Sequence, residues 1–189
     1  GTLPGAEAGV EAGVEGGDAS GGAEEPEGDG EDSSEVELDL FEELRSGVSE
    51  RKGPKKDDIE DRFLDKTKFP LGAYVNEDSL CAIAFGVFDG HGGYTCADYC
   101  KSEIPKNLLS FLGQRKTGMS DEDAIKSALL RAWKQTDHNF LRTAKRKGDM
   151  SGTTACVCLF YGPDDKGLLQ LYTANTGDSR AVLCRRGEA

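Results

Sequence analysis

Apolar residues are too sparse over the first 34 positions of this chain to line a face, and element-forming patterns begin only after them. Residues 1–34 are mostly Gly, Ala, Glu, Asp and Ser, with a short repeat, Glu-Ala-Gly-Val-Glu-Ala-Gly-Val-Glu, at 7–15. They offer almost nothing to a core, so this stretch is expected to be disordered tail. Over 35–45, Val36, Leu40 and Leu44 recur at i, i+4 and i+8 with Leu38 and Phe41 nearby, which predicts a short acidic amphipathic helix. Its apolar stripe needs a partner, either its own domain or another protein. Gly47, Gly53 and Pro54, with Arg51, Lys52, Lys55 and Lys56, mark a linker over 46–57 and the start of a domain.

Ile59 to Leu64 reads as a first strand. Ser79 to Phe88 is a clearer one, nearly all apolar from Leu80 onward and so expected to be buried on both faces. A tight turn follows at Asp89–Gly93. From Tyr94 to Leu112 the positions Ala97, Ile104, Leu108, Leu109 and Leu112 predict a helix that Pro105 should bend or divide. Ser120, with Asp123 three residues later, opens a second helix. Ala124, Ala128, Leu129, Ala132, Trp133, Phe140 and Leu141 line one side of it to about Lys145. The last third changes period. Thr153–Tyr161, Leu168–Ala174 and Arg180–Cys184 read as strands of a β-meander, separated by turn-forming runs at 162–167 and 175–179. Strands, then helices, then strands predict an α+β layered domain and not a doubly wound parallel sheet.

Charge divides the chain in the same place. Residues 1–50 hold 16 Asp and Glu against one basic residue, Arg45, so of the net −12 the tail contributes −15 and residues 51–189 carry +3. The acidity therefore belongs to the tail, which could engage a basic protein partner, while the domain is compatible with an anionic substrate. Six cysteines are scattered through the domain with no secretory leader ahead of them, which suggests reduced thiols in an intracellular protein, cytoplasmic or nuclear. Cys156 and Cys158 form a CxC and Cys96 and Cys100 a CxxxC, but no second cluster completes a four-ligand zinc site, so packing is the expected role. No apolar run approaches the roughly 20 residues of a bilayer span. Neither a membrane nor a nucleic acid is an expected partner.

The candidate chemistry starts at Asp89. A buried strand delivers this carboxylate to its end, and Gly90, His91, Gly92 and Gly93 follow on a turn where backbone can approach a ligand closely. Further acidic residues sit at Glu60-Asp61 and Asp178. Carboxylates at strand ends and turns, with one histidine among them, suit an oxygen-ligated Mg2+ or Mn2+. His138 lies outside these runs and reads as a surface helix residue.

From about Gly53 to Ala189 the chain resembles the metal-dependent serine/threonine protein phosphatases of the type 2C class. The resemblance rests on Glu60-Asp61-Arg62, Phe85-Gly86-Val87-Phe88-Asp89-Gly90-His91-Gly92-Gly93, Ser151-Gly152-Thr153-Thr154-Ala155 and Ala174-Asn175-Thr176-Gly177-Asp178-Ser179-Arg180-Ala181, four motifs in family order. It implies hydrolysis of phosphoserine and phosphothreonine in proteins by water activated between two or more ions. In that scheme Glu60, Asp89 and the Gly90 carbonyl hold metal, Asp178 belongs to a weaker third position, and His91 protonates the leaving alkoxide. It also implies a four-layer α-β-β-α sandwich of antiparallel sheets flanked by helices, and a monomer when complete.

Two departures qualify the resemblance. Where the family often has an arginine that holds the substrate phosphate, four residues before the glutamate, this chain has Lys56, a point charge without the bidentate fork. The family also completes its metal site with later Asp-Gly and Asp-Asn motifs. Asp-Gly occurs here only at 29–30 and 89–90, and Asp-Asn nowhere. With Gly1 in place of a methionine, the expectation is a tail over 1–50 followed by the N-terminal part of a phosphatase domain over 51–189. That part would be an incomplete sandwich, unstable and inactive alone. The competing expectation is a catalytically inactive, truncated binding module.

Overall fold

The computed structural model describes residues 45–52, 58–70, 81–114, 116, 118–162 and 168–184. The tail over 1–44, with nearly all of the 35–45 segment, and Lys56 lie outside the described residues. Strands β1 (Arg62–Pro70), β2 (Cys81–Phe88) and β3 (Gly90–His91) precede helices α1 (Thr95–Leu112) and α2 (Asp121–Lys147). Strands β4 (Gly152–Thr153), β5 (Ala155–Gly162) and β6 (Gln170–Thr176) follow. The main sheet is antiparallel throughout in the order β1-β2-β5-β6, and β3 and β4 form a separate two-stranded ladder. The mixed, antiparallel α+β architecture is the one the residue pattern predicts.

Alternation along the strands decides which face meets the helices. Ala84 pairs with Leu159 and Leu159 with Tyr172, so these three share a face with Leu64, Ala82 and Val157. That face is packed in one core with Ala97, Ile104 and Leu108 of α1 and Ile125, Leu129 and Phe140 of α2. The opposite face is less covered. Phe85 and Phe160 are half-buried there with rings edge to face at 6.0 Å, and Val87 is 49% exposed. The described residues thus supply one helical layer and one principal sheet, half of a four-layer arrangement.

The helices run antiparallel. Tyr99 near the start of α1 meets Phe140 near the end of α2, Asn107 Nδ2 donates to the buried Thr136 Oγ1 at 2.9 Å, and Arg131 lies over the Phe111 ring. Ser120 caps α2, accepting the Asp123 N–H at 3.2 Å, and Gly148 ends the helix in the left-handed region at φ 67°. No described helix is long and apolar enough to cross a membrane.

Local expectations are revised in several places: β6 runs Gln170–Thr176 and not Leu168–Ala174, and β2, expected to be buried on both faces, leaves Val87 exposed. Pro105 does not divide α1, because Ile104 and Leu108 on either side of it are buried against the core, which offsets the roughly 3 kcal/mol that an interior proline costs. The first strand begins at Arg62, not Ile59, and continues to Pro70 with a bulge between Leu64 and Thr67. Residues 153–161 are not one strand. Thr154 separates β4, which pairs with β3, from β5, which pairs with β2. Arg180–Cys184 forms no strand: no described strand lies beyond β6 to pair with it, and Val182 and Leu183 are exposed.

Candidate active site

Strand β2 ends at Phe88, wholly buried, and so fixes the height at which Asp89 leaves the sheet. Thr154 then holds the aspartate's backbone from both sides. The Asp89 N–H donates to Thr154 Oγ1 at 3.1 Å, and the Thr154 N–H donates to the Asp89 carbonyl at 2.9 Å. This exchange is what interrupts the predicted strand at Thr154. Asp89 itself is exposed.

Glu60 approaches the same turn from the other side. A Cβ on the buried Gly90 would sit 2.2 Å from the Glu60 carbonyl oxygen, so only glycine allows this backbone contact. One Glu60 carboxylate oxygen accepts the Gly93 N–H at 2.6 Å, a charge-assisted bond. Gly93 has φ 116° and Gly92 φ 67°, both in the region that glycine reaches without strain. Arg62 secures the segment: its guanidinium pairs with Asp98 in the first turn of α1 and donates to the Ile59 and Asp61 carbonyls at 2.8 and 2.7 Å. It also lies 5.1 Å from the Tyr94 ring centroid.

His91 is exposed and pairs with Gly152 across the β3–β4 ladder. A Cβ on Gly152 would meet the His91 Nε2 at 2.3 Å, so the bare backbone of β4 is the floor on which the imidazole lies. Below it, Ser151 is buried; its hydroxyl accepts the Cys96 N–H at 3.1 Å, and its own N–H donates to Asp149 at 2.9 Å. That bond, with others to Ser151 and Thr95, holds the Asp149 carboxyl below its ordinary pKa.

Asp178 stands apart. It is exposed in the loop after β6, and its tie to the centre runs through its neighbour: Ser179 Oγ lies 2.6 Å from Thr154 Oγ1. Thr154 thereby links three of the four sequence motifs. Glu60 is brought against Gly90 and Gly93, on the turn that also carries Asp89 and His91, although the described side chains do not converge as a group of three; Asp178 is joined at one remove, and Lys56 is outside the described residues. Sequence reasoning assigned no role to Thr154, Ser179, Gly152 or Arg62. The only signal was that each sits inside a motif.

Packing accounts for three of the described cysteines, while Cys158 is half-buried and Cys184 is exposed. Cys96, Cys100 and Cys156 are buried, and among the described residues no three His, Cys, Asp or Glu side chains gather as a metal cage. A hydrogen bond to Cys96, together with burial, pushes the Cys100 thiol well above its ordinary pKa, and burial raises Cys156 and Cys158. Thiols held protonated in this way are poor nucleophiles.

The family model described as Protein phosphatase 2C matches residues 46–189. Similar curated proteins include "Probable protein phosphatase 2C 59" of Arabidopsis thaliana, 41% identical over 105 residues that cover 56% of this chain and 30% of the relative. "Integrin-linked kinase-associated serine/threonine phosphatase 2C" of Bos taurus is 33% identical over 152 residues, 77% of this chain and 38% of the relative. The chain thus spans roughly a third of the length of such relatives. A solved structure described as "Structure of a C.elegans sex determining protein" superposes with a TM-score of 0.43 at 26% identity, over 62% of this chain and 28% of that one.

Proposed function

The chain belongs to the protein phosphatase 2C family, and from that premise we propose that it carries one side of a site for metal-dependent hydrolysis of phosphoserine and phosphothreonine in proteins. The observation that carries the reading is the Glu60 carboxylate held on the Gly93 N–H, which sets an acid of the first motif against the turn of the second.

Magnesium is commonly held by one or two carboxylates, with waters and substrate phosphate filling its octahedron. Glu60, Asp89 and the Gly90 carbonyl are a donor set of that kind, all oxygen, on a turn stripped of side chains by glycine. Asp178 would serve a further, looser position, in keeping with its exposure, and Lys56 would attract the substrate phosphate. Mg2+ or Mn2+, when bound, supplies an acidified water and neutralises charge on the phosphoryl oxygens.

The chain's own groups do the rest. Thr154 fixes the Asp89 backbone, so the point from which the carboxylate is presented is set before substrate arrives, and this preorganisation is what positioning chemistry requires. The His91 imidazole, seated on Gly152, gives a proton to the departing serine or threonine oxygen. The further aspartates implied by the family resemblance are not among these 189 residues, so the chain assayed alone is expected to release no phosphate.

The test uses the natural protein that contains this region. Manganese-dependent release of phosphate from a phosphothreonine peptide should fall by more than about a hundredfold in Asp89→Ala, beyond the loss of an outer-shell partner. Calorimetric Mn2+ affinity should fall with it. Equal activity in the two proteins would overturn the assignment.

A further inference from the structure

Helix α2 carries an exposed basic stripe that the proposed chemistry does not use. Arg131, Lys134, His138, Arg142, Lys145 and Arg146 are all exposed and recur at spacings of 3, 4, 4, 3 and 1. At 3.6 residues per turn they share an arc of about 120° on the side away from the core. Among the described residues none of Lys134, Arg142, Lys145 and Arg146 is in an ion pair. Leu141, 55% exposed, lies along one edge of the stripe. Favourable placement of cations at a helix C-terminus accounts for Lys145 and Arg146, and Arg131 is engaged by the Phe111 ring and the Gln114 side chain, but neither accounts for Lys134 and Arg142.

The complement to this stripe is in the same chain. Residues 24–43 contain eleven Asp and Glu and no Lys or Arg, with Leu40 and Phe41 near the end of the run. The place where the chain joins the domain is also fixed. Arg62 pairs with Asp98 in the first turn of α1, and because α1 and α2 are antiparallel that turn lies beside the last turns of α2. The fourteen residues from Arg45 to Asp58 can reach up to about 46 Å, whereas the basic stretch of α2 is about 24 Å long.

We propose that the acidic segment 24–43 docks on the basic face of α2 of its own chain, with Leu40 or Phe41 against Leu141. Single exposed ion pairs are weak. Eleven acids presented by a short tether act together, because tethering replaces a bimolecular encounter with a high local concentration. The inference is independent of the phosphatase reading, since neither the stripe nor the tail contains a proposed site residue.

Zero-length carbodiimide coupling tests it on the full chain, in an equimolar mixture of 15N-labelled and unlabelled protein analysed by mass spectrometry. Cross-links are expected from acids of 24–43 to Lys134 and Lys145, within one isotopic population. Their yield should fall about fivefold between 0.1 and 1 M salt as the screening length shrinks from roughly 10 to 3 Å. The double variant Arg142→Gln/Arg146→Gln, at exposed positions where folding is little affected, should lower the yield and leave the circular dichroism unchanged. Cross-links spread evenly over Lys101, Lys106 and Lys126, or a yield indifferent to salt, would overturn the proposal. Cross-links joining labelled to unlabelled chains would assign the stripe to an acidic partner instead.

Discussion

The turn that carries Asp89 and the loop that carries Asp178 begin alike and are held very differently. Each follows an antiparallel strand and each contains glycine at positive φ, 67° at Gly92 and 96° at Gly177. Asp89, however, is bracketed by two hydrogen bonds to Thr154, and its neighbour Gly90 is pressed against the Glu60 backbone. Asp178 is exposed, and its loop is tied down through the Ser179 hydroxyl and an Asn175 side-chain bond to the Gly177 carbonyl. The first turn is fixed on its backbone by two distant segments, at Glu60 and Thr154; the second is tied to Thr154 alone, through the Ser179 hydroxyl, and otherwise by a bond within its own loop. A ligand that must be aimed belongs on the former, and one that can adjust belongs on the latter.

The largest perturbation of this contrast should come from Gly90→Ala. The new methyl would meet the Glu60 backbone and not a flexible side chain, so the cost should be about 3 kcal/mol of stability by denaturant titration. A cost below about 1 kcal/mol would show the turn to be as adjustable as the Asp178 loop. Thr154→Val comes next. It leaves the Asp89 N–H without its acceptor and frees Ser179 as well, for about 2 kcal/mol, whereas Thr154→Ser should retain most of the stability. Equal losses in the two variants would mean that shape, and not the hydroxyl, holds the turn.

Gly152→Ala separates stability from chemistry. The added methyl meets the far end of His91, which can swing away, so the folding cost should stay under about 1 kcal/mol. Under the proposed function, phosphate release should nevertheless fall by about a hundredfold, as expected when a proton donor is displaced. The smallest effect is at Asp149. Its folded pKa is depressed, so its contribution is fully present above the ordinary carboxylate value of about 3.9 and is lost as pH falls through the lowered folded value. The Ser151 amide resonance should move in that acid window and be flat in Asp149→Asn.

Elements were legible in the sequence wherever a period ran for several turns or residues, as in α2 with its Ser120 cap or β2 with its unbroken apolar run. Boundaries failed where partners decide. Thr154 breaks a strand because its N–H turns to Asp89, 65 residues away in sequence, and Arg180–Cys184 stays single because no described strand lies beside it. In the candidate site, the family resemblance implied that Glu60 and the Asp89 turn are neighbours, and Glu60 is in contact with that turn through Gly90 and Gly93. The supporting contacts were invisible. Nothing local marks Gly152 as a floor for His91, or Arg62 as a clasp between Glu60 and α1, since each depends on a fold already formed.

The antiparallel helix pair has a practical consequence. Because α1 starts directly after the Asp89 turn and runs about 27 Å, Gly113 and Gly118, which follow it, lie toward the end of that helix away from the turn. Gly118 there has φ 83° and nothing within 4 Å of an added Cβ. A fluorophore or affinity group inserted at that bend would serve as a handle remote from both the carboxylates and the domain's N-terminal attachment.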